Sequence, residues 1–214
     1  MPAQWGAGIG NALSRVPKLA VYLLGFVPAA VLVYRGFNDQ LGAEPFRELE
    51  NVLGLWALRF LIASLAVTPL RLLTGINLLV HRRALGLLAF YYAALHLTSY
   101  LWLDQGLFWP AIWADIVKRP FITVGMAVFV ILVPLAITSN NLAVRKMGAR
   151  AWARLHRIVY LAAIGGAVHF IMLVKAWPPE PLIYAAIVLA LLAFRLLPSS
   201  RRRKRPRRSP AVQA

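Results

Sequence analysis

The 214-residue chain is 60% hydrophobic and only 14% charged. Soluble domains carry about 25% charged residues, which argues against a water-soluble globule and points to a bilayer as solvent. The formal net charge is +17, but the basic residues lie between apolar segments and in one tail, so the charge is not read as a nucleic-acid interface. Cysteine is absent, which excludes disulfides, thiolate-held metals and iron–sulfur clusters and leaves histidine as the ligand for any redox centre.

In chain order, the first apolar segment runs from about Leu19 to Tyr34. Arg15 and Lys18 precede it in the manner of a signal peptide, but no small-residue cleavage site leads into a soluble domain, and it is read as a span. Further spans are predicted at Leu53–Leu70, Ala84–Leu103, Phe121–Thr138, Ile158–Val174 and Pro181–Leu197. Several fall slightly short of the roughly 20 residues of a straight crossing, and flanking Arg, Lys and Trp would anchor their ends. The fold expected is all-α, a polytopic bundle of six transmembrane helices over residues 19–197. Residues 1–18 form an amino-terminal segment, and residues 198–214 form a basic tail read as disordered and as a retention signal touching anionic lipid. Every connection reads as short, no carboxylate falls inside a predicted span, and Pro69 and Pro134 predict kinks.

Charge sets the expected orientation. The amino-terminal segment, the second and fourth loops and the tail hold 18 of the 24 basic residues. The other side holds Arg35, Arg47, Lys118, Arg119 and Lys175 with most of the acids. Both termini are therefore expected in the cytoplasm.

Four histidines carry the candidate chemistry. A histidine inside a span is expensive and usually functional. His96 lies 13 residues after Arg83, about 20 Å at helical rise, and His169 lies 12 residues after Arg157, about 18 Å. Both sit at one depth, in the outer half, where two facing imidazoles can hold a haem iron from both sides. The alternative is a polar contact between helices. Gly165 and Gly166 would leave room for a porphyrin, and Tyr92 and Tyr100, one turn either side of His96, could stack or hydrogen-bond. His156 and His81 match each other at the cytoplasmic boundary, where a second haem is geometrically possible; His81 reads more simply as an interfacial histidine facing water or headgroups. Arg82, Arg83 and Arg157 beside them suit haem propionates or a flavin phosphate, or act only as topogenic charges. Arg59, placed near the outer start of the second span, either snorkels or neutralises a propionate. The tryptophans at span ends (Trp102, Trp109, Trp113, Trp152 and Trp177) read as an interfacial belt without a cofactor role.

The stretches Arg82–Leu87 (RRALGL), Leu95–Tyr100 (LHLTSY), Thr138–Asn140 (TSN), Leu155–Tyr160 (LHRIVY) and Pro181–Tyr184 (PLIY) resemble the MsrQ (YedZ) family of the ferric-reductase-like transmembrane group. The likeness covers nearly the whole chain except the tail. It implies a bacterial inner-membrane electron-transfer subunit carrying b-type haem, one or two, and an associated FMN. It also implies a periplasmic molybdopterin methionine-sulfoxide reductase as catalytic partner in protein repair, and a quinone or flavin reductase as donor. The histidines matching the family's functional positions are His96, His156 and His169; His81 matches none. Two other readings stay open: a stand-alone quinol-oxidising or ferric-reductase-like cytochrome, and a small transporter or scaffold without haem.

Overall fold

In a computed structural model, residues 8, 10, 12–174 and 178–196 are described. Lys175, Trp177 and the tail from residue 198 onward fall outside them, so the expectations placed there are not addressed. Every regular element among the described residues is helical. Six helices are long and apolar enough to cross a membrane, as expected from the sequence. They are α1 (Lys18–Phe37), α2 (Pro45–Thr74), α3 (Arg82–Ser99, continuing as a π-helical turn over Tyr100–Asp104), α5 (Pro120–Ile137), α7–α8 (Ala149–Leu155 and Val159–Leu173, joined by a 3-10 turn at His156–Ile158) and α9 (Pro179–Leu196). Two shorter helices lie between spans: α4 (Trp109–Lys118) and α6 (Asn141–Met147).

The boundaries differ from the hydropathy reading most at α2, which has 30 residues, about 45 Å at helical rise. Pro45 occupies the first helical turn, where a missing N–H costs nothing, and Gly75 closes the other end at φ 80°. The helix therefore begins eight residues before the apolar run and takes Glu48 and Glu50 into its first turns. Both carboxylates lie in this extension, ahead of the predicted span Leu53–Leu70, because helix length followed the caps and not the apolar stretch. The connection between α3 and α5 also contains a helix that was not foreseen. Trp109, Trp113 and Val117 of α4 recur at i, i+4 and i+8 and are exposed, while Ile112 is buried, so α4 carries an apolar outward face. The helices run through Pro28, Pro69 and Pro134 without ending.

α2 packs most extensively on α3, and α5 on α8. The main core joins these pairs through Leu61, Leu65, Ala89, Leu132, Leu135, Ala162, Ala163 and Val188. Fully buried Ala162 and Ala163 let α8 approach its neighbours closely, as small residues do in membrane bundles. A second cluster of Leu32, Leu41, Leu53 and Tyr92 ties α1 to the bundle. The Tyr92 hydroxyl accepts from Ala29 N–H at 3.0 Å and donates to the Gly25 carbonyl at 2.8 Å, bridging one step of the α1 backbone ladder.

The bundle has two chemically distinct ends. All seven carboxylate side chains (Asp39, Glu44, Glu48, Glu50, Asp104, Asp115 and Glu180) belong to one end. Arg71, Arg82, Arg83, His156 and Arg195 belong to the other. These are called the acidic end and the basic end below.

Candidate functional site

The structure brings His96 and His169 together. Their ring centroids lie 6.2 Å apart with planes at 76°. A metal held between two imidazole nitrogens separates the rings by about 6 Å, from two bonds of about 2 Å and the two ring radii. His96 Nδ1 lies 2.9 Å from the Glu50 carbonyl oxygen on α2. His169 Nδ1 lies 2.7 Å from the Phe121 carbonyl oxygen on α5. A carbonyl can only accept, so each Nδ1 carries the proton, and each Nε2 is left as the nitrogen available to a metal. Fixing the ring through the nitrogen that does not ligate is the usual way protein metal sites orient histidine. Among the described residues no group of three or more His, Cys, Asp and Glu side chains gathers to hold a bare metal ion. Two opposed imidazoles suit a metal whose remaining positions come from its own macrocycle, and the donor set fits haem iron.

Both histidines reach their carbonyl by the same device. Gly54 stands four residues after Glu50, and Gly125 four residues after Phe121. A Cβ at Gly54 would meet His96 Nδ1 at 3.2 Å, and one at Gly125 would meet His169 Cε1 at 2.8 Å. The ring occupies the space a side chain would fill. Sequence reasoning missed this pair of glycines, which seat the rings; Gly165 and Gly166, read as leaving room for a porphyrin, have Cβ positions that face Val128 and Leu58. The signal available was a glycine one turn along an apolar helix neighbouring each histidine. Tyr92 and Tyr100 do not serve the pair either. Tyr92 is committed to α1, and the Tyr100 hydroxyl faces Asp115 at 3.4 Å.

Arg59 does not lie near the outer start of its helix but at the middle of α2, because α2 begins at Pro45. Its side chain turns toward α9. Its Nε donates to the Tyr184 hydroxyl at 2.7 Å, and its guanidinium lies 4.9 Å from the Trp56 ring centroid. Phe170, the residue after His169, contacts the Tyr184 ring, so Arg59 stands close to the level of the pair.

At the basic end the two remaining histidines are not brought together. His81 is buried, not water-facing; its Nε2 donates to the Leu13 carbonyl at 2.9 Å, and its Nδ1 is buried without a partner. His156 stacks on Trp152 with ring centroids 3.9 Å apart. Thr138 Oγ1 gives its proton to the Pro134 carbonyl at 2.6 Å and so accepts from His156 Nε2 at 3.0 Å. Trp152 Nε1 donates to the Thr138 carbonyl at 2.8 Å. Trp152 is therefore part of this site and not of the interfacial belt, whereas Trp102, Trp109 and Trp113 are exposed as expected. Arg83 lies 5.2 Å over the Trp152 ring and donates to Asn141 Oδ1 at 2.6 Å. Arg157 is exposed.

Residues 53–167 match the family model described as ferric reductase like transmembrane component. The chain is 58% identical over 194 residues, 91% of its length and 88% of theirs, to proteins of Brucella ovis, Brucella canis and Brucella suis. Each of these is named protein-methionine-sulfoxide reductase heme-binding subunit MsrQ. The chain belongs to the MsrQ family of ferric-reductase-like membrane proteins. No solved structure matches it. The motifs that carried the resemblance fall in the side-chain clusters described above. Leu95–Tyr100 holds His96, while Thr138 and Leu155–Tyr160 form the Thr138–Trp152–His156 cluster with Arg83 from Arg82–Leu87. Tyr184, from Pro181–Tyr184, holds Arg59.

Proposed function

We propose that this MsrQ-family chain is the b-type cytochrome subunit of a protein-methionine-sulfoxide reductase system, passing electrons through a haem held by His96 and His169. The observation that carries this reading is the opposed imidazole pair, 6.2 Å between centroids, with both Nδ1 atoms tied to helix carbonyls. Haem bound there supplies one-electron redox chemistry. Glu50 and Phe121 carbonyls orient the rings, Gly54 and Gly125 make room for them, and Arg59 offers a cation at their level for a propionate. His156, with Arg82, Arg83 and Arg157 near the basic end, is the second cofactor position, where FMN or a further haem would receive electrons. His156 can serve as an iron ligand through Nδ1, or through Nε2 once the Thr138 contact opens.

Electrons run from the basic, cytoplasmic end to the acidic, periplasmic end of the inner membrane, with a quinone or flavin reductase as donor. The acceptor is a periplasmic molybdopterin subunit that reduces methionine sulfoxide in oxidised proteins. The family's printed name supports the haem and the reductase system, and the distribution of basic residues supports the orientation of the chain in the membrane.

The test is to reconstitute the reduced protein with the catalytic subunit and follow haem reoxidation on adding a methionine sulfoxide substrate. His156→Ala is expected to slow reduction from the cytoplasmic side more than reoxidation by the partner. Equal slowing of both steps, or no reoxidation by the partner, overturns this path. Reporter fusions at Gln40 and Gln105 are expected to behave as periplasmic and those at Ala149 and Ala214 as cytoplasmic; an active cytoplasmic reporter at Gln105 overturns the orientation.

A further inference from the structure

Pro69 stands inside α2. Proline has no N–H, so the Leu65 carbonyl, four residues earlier, lacks the donor that helix geometry would give it. In water such a carbonyl would be hydrated. Inside a membrane bundle a freed backbone group needs a protein partner, and Leu65 is fully buried. The partner comes from α9, where Arg195 Nη2 donates to the Leu65 carbonyl at 2.7 Å. Arg195 Nη1 donates to the Tyr160 hydroxyl on α8 at 3.1 Å, and the guanidinium lies 5.2 Å from the Tyr160 ring centroid. One planar fork, with a donor on each arm, thus joins three helices at the basic end.

Arg195 also belongs to a pair of polar ties between α9 and α2. The other tie is the bond from Arg59 Nε to the Tyr184 hydroxyl at 2.7 Å. Between the two, Val188 packs with Leu61 and Leu65 in the main core. Both helices run from the acidic end to the basic end. Tyr184 and Arg195 are 11 residues apart, about 16 Å at helical rise, so ties at both positions fix how far α9 can slide along α2. Apolar side chains alone set such a register weakly, because lipid tails are as apolar as the residues that would face them.

We propose that Arg195 is a positioning residue. It supplies the hydrogen bond that Pro69 takes out of α2, and it thereby sets the depth of α9 at which Tyr184 meets Arg59. Arg59 is the cation close to the level of the His96–His169 pair, and Arg195 acts on it only through the register of α9. Pro69 and Arg195, far apart in the chain, form one functional unit.

The experiment unfolds the full chain reversibly in mixed micelles with increasing dodecyl sulfate and reads the unfolding equilibrium constant of each variant. Arg195→Gln is expected to raise this constant about 3- to 20-fold, the range for polar bonds between membrane helices. Pro69→Ala returns the N–H to α2. In that background Arg195→Gln is expected to raise the constant by less, keeping only the share that comes from Tyr160. Arg195→Lys, which keeps the charge but offers a single donating group, guards against an unrelated folding defect and is expected to fall between the parent and Arg195→Gln. An equal fold-change for Arg195→Gln in the parent and in Pro69→Ala overturns the pairing. A second cycle reads the positioning. Tyr184→Phe removes the bond from Arg59, and is expected to cost less in Arg195→Gln than in the parent, because the register is already loosened there. Independent sites at this separation give additive effects, so additivity of Arg195→Gln and Tyr184→Phe overturns the positioning role. Both cycles report on folding, so they are decided separately from the haem spectrum that tests the electron-transfer reading.

Discussion

His96 and His169 each donate Nδ1–H to a helix carbonyl one turn before a glycine, whereas His156 donates from Nε2 to a threonine hydroxyl and lies flat on Trp152. The first arrangement leaves two Nε2 atoms for one metal. The second uses Nε2 within the protein and surrounds the ring with Arg82 and Arg83 instead of another imidazole. The acidic-end pair is thus built as a preorganised bis-imidazole site, while the basic end is built around cations and aromatic stacking. The same residue type serves different chemistry according to which of its nitrogens the backbone or a neighbouring side chain has claimed.

The largest expected effect tests that contrast directly. His96→Ala or His169→Ala removes one of the two imidazoles proposed to hold the haem, and the low-spin b-type spectrum is expected to vanish. His81→Ala, whose ring is held by Leu13 and not by another histidine, is expected to leave it unchanged. A reduced-minus-oxidised spectrum with pyridine haem quantitation reads both, and a normal spectrum in both single mutants of the pair would end the assignment.

A smaller effect is expected at the glycines. Gly125→Ala places a methyl 2.8 Å from the His169 ring, closer than packed atoms tolerate, and either turns the ring or breaks its bond to Phe121. Haem affinity is expected to fall about 10–100-fold, the usual cost of disturbing the orienting partner of a ligand. Gly54→Ala, at 3.2 Å, is expected to do less. Gly166→Ala meets only Leu58 at an ordinary 3.6 Å and is expected to leave haem retention near the parent value. Equal losses at Gly125 and Gly166 in a haem-retention assay would remove the special role of Gly125. The smallest effect is expected at Thr138→Val. It removes the acceptor of His156 Nε2–H, with a stability loss of about 1 kcal/mol by denaturation in detergent, and leaves the spectrum of the acidic-end pair intact. A spectral change in that pair would mean the two ends are coupled more tightly than their separate partners indicate.

The number of spans, the absence of thiol chemistry and the matched depth of His96 and His169 were all legible in the chain, because hydropathy, composition and helical rise are properties of single segments. The full length of α2 was also encoded, in Pro45 and Gly75, but an apolar-run criterion passes over caps that lie beyond the hydrocarbon core. It thereby misplaced Arg59 and overlooked Glu48 and Glu50 within the helix. Partnership across helices was not legible. That Glu50 lends its carbonyl to His96, that Gly125 faces His169, that Trp152 lies on His156 and that Arg195 turns inward to Tyr160 and Leu65 all depend on how the helices are rotated about their axes. Rotation is set by packing such as Ala162 and Ala163 against their neighbours, a sum of many weak contacts between distant segments. The sequence by itself thus determined which helices cross and at what depth each histidine lies, and only the tertiary structure decided which nitrogen of each histidine remained to be used.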